Sequence, residues 1–206
     1  SVMAAVTLRS TAAAPSATFR VRVLLVLPSR RLTRPAMTAV EVDAALVADV
    51  RAQLEQMSGA AVRVAEPIAL TAEMAMDEIG RAAVKTMQPT DFGIIVIAAA
   101  GADAPQGVCL PDEHFGVINV TKLAADATPE QTVRRVMQNA LRVESMLVGM
   151  SVCPFPLCAL TSYETAEDLD HMSCNFCPPG HHRFPRLPRE LGLRLVKAEP
   201  AAEPAP

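Results

Sequence analysis

No apolar stretch of this sequence approaches the length of a membrane span. The longest candidates, VRVLLVL (21–27) and GIIVIAAA (93–100), are about strand length, so the expectation is a soluble fold with no direct membrane span. A net positive balance is also missing. A net charge of −3 argues against a broad phosphate-binding surface and against nucleic acid as a partner. Lysine is scarce, three against sixteen arginines, a skew that codon bias explains without a function. No cleavable secretory pattern is present, and the five cysteines are an odd number with four clustered late in the chain. That usage fits a reducing compartment and a metal site better than a disulfide framework.

What is present fits one α/β domain with tails. At 206 residues the chain is long enough to bury a real core. Residues 1–17 read as an N-terminal extension, 18–182 as the domain, and 183–206 as a Pro/Ala-rich C-terminal extension that runs across a surface. Before Glu41 there is no acidic residue and no lysine, only six arginines among many Ser, Thr and Ala. This is the composition of an organellar transit region, and it points to mitochondria.

Alternation passing into an apolar run predicts a first strand over Thr18–Pro28, with an exit loop marked by Pro28, Ser29 and Pro35. Val40, Ala44, Val47, Val50 and Leu54 sit at helical spacing within 39–57, and Ser58-Gly59 ends that helix. AVRVAEPIAL (61–70) alternates as a second strand, at an edge or bulged because of Pro67. A helix capped by Thr71 is expected to run to about Met87. The β-branched run at 93–100 predicts a central strand, and 101–107 a loop. A further strand is expected over 114–123, with the Asn119-Val120-Thr121 sequon inside it a coincidence. Thr128-Pro129-Glu130 is a strong helix start, and the helix runs to Gly149.

The cysteines carry the chemistry. Cys153-x4-Cys158 and Cys174-x2-Cys177, followed by His181 and His182, form a plausible tetrahedral frame, because thiolates two to four residues apart can grip one ion together. Cys174-x2-Cys177 as a redox dithiol is discounted, since that motif opens a helix after a strand and here follows an acidic loop. Cys109 reads as an ordinary buried thiol, and Glu113-His114 as a solvated loop pair.

The stretch from Arg134 to His182 resembles the archaemetzincins, metzincin-type zinc proteases with the motif H-E-x-x-H-x-x-G-x-x-H-C-x4-C-x-M and a later C-x-x-C. The match rests on Gly149, the whole of Cys-Pro-Phe-Pro-Leu-Cys (153–158), and Phe176-Cys177. In that register the three zinc histidines fall on Arg142, Met146 and Val152, the general-base glutamate on Val143, and the Met-turn methionine on Leu160. None of these can ligate zinc through imidazole or deprotonate a bound water. No H-E-x-x-H occurs elsewhere in the sequence.

The resemblance implies a metzincin-like mixed twisted sheet with packed helices, a long former active-site helix, and a Cys-rich C-terminal subdomain. It implies a degenerate member with no catalytic residues and no catalytic zinc. One structural zinc is expected on Cys153, Cys158 and Cys177. The family's fourth cysteine falls on Gly180, so Cys174, His181 or His182 must replace it. The expected function is that of a non-catalytic accessory subunit, a scaffold in a large mitochondrial assembly, contacting other protein subunits partly through its extensions. A respiratory-chain or ATP synthase complex is preferred on charge, with a mitochondrial ribosome subunit and a free zinc-stabilised adaptor as alternatives. An active zinc peptidase comes last, since it would need new ligands from His114, His171 or His181.

Overall fold

The computed structural model describes residues 32–40, 42–68 and 74–198. The strand expected over Thr18–Pro28, the Thr71 cap and the last eight residues of the tail lie outside them. Six strands are present in the described residues: β1 Leu32–Val40, β2 Arg63–Val64, β3 Asp91–Ala98, β4 Gly107–Leu110, β5 Phe115–Asn119 and β6 Arg194–Leu195. The sheet order is β2-β1-β3-β5-β4, with β6 pairing to β1 off this path. All pairings are parallel except β4 with β5, which runs antiparallel and makes β4 the far edge. The fold is mixed α/β, as the sequence predicted.

Seven helices accompany the sheet among the described residues. They are α1 Ala44–Ser58, α2 Met76–Val84, α3 Val120–Leu123, α4 Pro129–Leu147, α5 Asp168–His171, α6 Pro178–Arg183 and α7 Leu187–Glu190. β3 shows why its sequence is continuously apolar. Ile95 and Ile97 face a core with Val50 and Leu54 of α1 and Ala140 and Leu141 of α4. Ile94, Val96 and Ala98 face a second core with Ile79 and Ala83 of α2 and Phe115 of β5. A parallel strand covered on both faces has no polar side to show. The approach of α2 depends on Gly80, where an added Cβ would lie 2.0 Å from the Phe115 ring.

Several expectations need correction. Pro35 is in no exit loop; it is buried within strand β1, beside a register shift between Arg34 and Pro35. That irregularity is where a strand tolerates a residue with no N–H. Helix α1 therefore begins at Ala44, capped by the Asp43 carboxylate accepting from Ala45 N–H at 2.8 Å, and not at residue 39. Strand 61–70 shrinks to Arg63–Val64. β4 starts at Gly107, at the end of the expected loop, and the strand expected over 114–123 ends at Asn119, where α3 takes over.

The segment after His182 packs more than expected. Phe184 and Leu187 are buried in a third cluster with Val148, Met150, Cys158, Leu160 and Cys177, and β6 joins the sheet. Residues 183–197 thus belong to the folded body. Helix α4 follows its sequence closely. Thr128 and Gln131 form a capping box with Pro129 in the first turn, and the chain leaves the helix through Gly149 at φ 89°.

Candidate metal centre and cleft

The loop after α4 folds back on itself to bring three cysteines together. Cys153 N–H donates to Leu160 O at 3.0 Å, Cys158 N–H to Phe155 O at 3.0 Å, and Ala159 N–H to Asn175 O at 2.9 Å. The last of these ties the 153–160 turn to the segment that carries Cys177. Cys177 then caps α6, whose first residues are Pro178 and Pro179. As a result the sulfurs of Cys153, Cys158 and Cys177 lie within 4.8 Å of one another. The Cys153 and Cys177 sulfurs are 3.7 Å apart, and the Cys177 amide donates to the Cys158 sulfur at 3.4 Å. Sulfurs sharing a zinc through bonds of about 2.3 Å stand roughly 3.8 Å apart, so the group fits the ion. The Gly180 amide, with some opposition from burial, holds the Cys177 thiol below its ordinary pKa.

Cys174 and His181 are outside this group. Cys174 packs beside the core that α4 shares with α1, and His181 and His182 are exposed on α6. In the archaemetzincin register the fourth cysteine falls on Gly180. It is buried, and a Cβ built there would lie 3.4 Å from the Cys177 sulfur. The three cysteines can hold one zinc ion. Metal analysis of the purified chain should give one zinc per chain, and Cys158→Ser should release it. A zinc-free chain would overturn the site, and two zincs would mean a second ligand set.

A cleft adjoins this loop, against α4. A cavity of about 170 Å³ is lined by Gly107, Val108 and Cys109 of β4, Val117 and Ile118 of β5, Asn139, Arg142, Val143 and Met146 of α4, and Tyr163. The Arg142 Nη1 donates to Thr161 O at 2.6 Å and to Ala159 O at 3.3 Å. Its guanidinium lies over the Tyr163 ring, 5.2 Å from the centroid. The Tyr163 hydroxyl donates to Asn139 Oδ1 at 2.5 Å. Burial pulls Arg142 below its ordinary pKa and pushes the Cys109 thiol up to about 11, against the pull of Arg142.

No protein-family model matches the chain, and no curated protein matches it. Solved structures do match. Archaemetzincin from Methanopyrus kandleri superposes with a TM-score of 0.61 at 14% identity, covering 76% of this chain and 96% of its own. A zinc-dependent peptidase from Methanocorpusculum labreanum gives 0.60 at 14% identity, covering 73% and 99%. Archaemetzincin from Archaeoglobus fulgidus, complexed with malonate, gives 0.59 at 17% identity, covering 73% and 99%. The chain has the archaemetzincin fold.

In the archaemetzincin register set by the sequence, Arg142, Val143 and Met146 all line the cleft. Val152 stands apart from it on the loop before Cys153, with 46% of its surface exposed. Among the described residues no His, Asp or Glu cluster of three lies in the cleft, and the cysteine triplet is the one group that can hold a metal. Sequence reasoning missed Tyr163 and Asn139, although Tyr163 is the one tyrosine in the sequence. It also missed Glu144, fully buried on α4 beside Leu141, Val143 and Ser145.

Proposed function

We propose that this chain is a non-catalytic, archaemetzincin-like scaffold subunit of a large mitochondrial assembly, stabilised by one zinc on its C-terminal cysteines. The observation that carries the reading is the cleft face of α4. A guanidinium at position 142 offers no lone pair to a metal and repels a dication, and Val143 and Met146 beside it can neither ligate strongly nor take a proton. A zinc peptidase needs an open metal position next to a general base. A scaffold needs neither.

Two features favour docking to other proteins. Val152, Phe155 and Leu157 are large exposed apolar side chains within six residues, at 46%, 49% and 61% exposure. They project from the turn that the cysteines and two prolines stiffen, and rigid apolar knobs suit a partner surface. The acid-free, arginine-bearing first forty residues support a mitochondrial address, and the net charge of −3 favours a respiratory-chain or ATP synthase complex over a ribosome.

The test is the native size of the endogenous protein after gentle detergent extraction of organelles. Co-migration with respiratory-chain or ATP synthase subunits is the expected result. Co-migration with ribosomal proteins would move the proposal to the ribosome. Migration near 21.9 kDa would remove the assembly reading and leave the free adaptor.

A further inference from the structure

Arg142 is held in place by neutral groups. Its Nη1 serves the Ala159 and Thr161 carbonyls, its face lies over Tyr163, and no carboxylate is within ion-pair distance of it among the described residues. Tyr163 and Cys109, the acids that line the cavity beside it, are held protonated by burial. A partly buried cation without a counter-ion is costly to keep. Carbonyl contacts on one nitrogen orient the guanidinium without neutralising it. Among the described residues its Nε and Nη2 make no hydrogen bond, and Arg142 lines the cavity.

We infer that this cavity binds a small carboxylate, held on Arg142 between α4, β4 and Tyr163. A planar guanidinium edge matches a carboxylate, with two parallel N–H donors for two oxygens. Phosphate is a poorer match. The described walls offer one cation and no second basic side chain, and Val108, Val117, Ile118, Val143 and Met146 supply apolar surface suited to a short carbon chain. The Tyr163 hydroxyl and the Asn139 amide, fixed to each other and to Arg135 O, form the polar wall beside the guanidinium. The volume of about 170 Å³ admits a free dicarboxylate or the last residue of a peptide chain. Both present the same group. This site would operate in a free protein as well as in an assembled subunit, so it stands apart from the scaffold proposal.

The experiment titrates the full chain, zinc-loaded, with succinate, with a tetrapeptide ending in valine, and with the same peptide amidated at its C-terminus. Sodium chloride at matched ionic strength is the control, and thermal shift and calorimetry are the readouts. Succinate or the free-acid peptide should bind and raise Tm by about 3 °C at tenfold excess over Kd, and whichever of the two binds identifies the source. Arg142→Gln should weaken binding about tenfold or more. Met146→Phe, which keeps the cation and narrows the cavity, should also weaken it, so the test survives if the first variant folds poorly. Absence of binding by both acids, or equal binding of amidated and free-acid peptide, would overturn the inference. So would full affinity in Arg142→Gln.

Discussion

Gly180→Cys is expected to raise the zinc affinity of the chain on the order of 100-fold. Four-thiolate structural sites gain roughly 10–16 kcal/mol from the metal, or about 3 kcal/mol per ligand. Gly180 is where a fourth ligand would start, since its Cβ would be 3.4 Å from the Cys177 sulfur and 3.2 Å from Phe176 Cβ. The Phe176 contact is tight and must yield by a few tenths of an ångström, which offsets part of the gain. Position 180 does not have a positive φ, so the backbone accepts a side chain. Competition against a chromophoric zinc chelator measures the change. Unchanged affinity in a folded variant would mean that the fourth coordination position points elsewhere. Gly180→Ala, which adds the Cβ without the sulfur, separates the ligand effect from the packing effect.

Stability should fall as pH rises through the neutral range, and Glu144→Gln should remove most of that slope. Glu144 is fully buried on α4, and neither carboxylate oxygen has a hydrogen-bond partner among the described residues. Burial pushes its pKa up to about 8. The ordinary value is 4.5. Between these two values the unfolded chain has released a proton that the folded chain retains, so raising pH favours unfolding. The loss begins above the ordinary value and levels off once the folded carboxyl has ionised. Its size is on the order of 5 kcal/mol. Urea unfolding at pH 5 and pH 8.5 should show the wild-type chain weaker at the higher pH and the Gln variant nearly level. Equal slopes in the two proteins would show that Glu144 is solvated.

The legible parts of the fold were those with strong local physics. Helix α4 has a reciprocal cap and a proline in its first turn, and β3 has a run that only a strand covered on two faces can use. β1 was misread because Pro35 signals a loop wherever a strand lacks an irregularity to absorb it, and that irregularity exists only in the pairing with β3. β4 is four residues long and draws its identity from β5. The metal centre was half legible. Spacing gathered Cys153, Cys158, Cys174 and Cys177, and the archaemetzincin resemblance singled out the three that meet, Cys153, Cys158 and Cys177; spacing alone cannot say on which side of a turn a side chain falls. Cys174 turns toward the α4 core and the prolines that open α6 send His181 outward. The cleft was legible as a set of positions, since Arg142, Val143 and Met146 share one helix face. Its tyrosine arrives from a loop that no local pattern connects to α4.

The pairing of β6 with the first residues of β1 has a consequence for how the molecule is made. Leu32 and Thr33 meet Arg194 and Leu195, about 160 positions further along. A chain emerging from the ribosome in N-to-C order leaves the start of β1 uncovered until residues about 160 positions later have been synthesised. Such distant pairing closes late and slowly. During that interval the exposed backbone donors and acceptors of β1 are open to other strands, so chaperone demand should centre on this one edge.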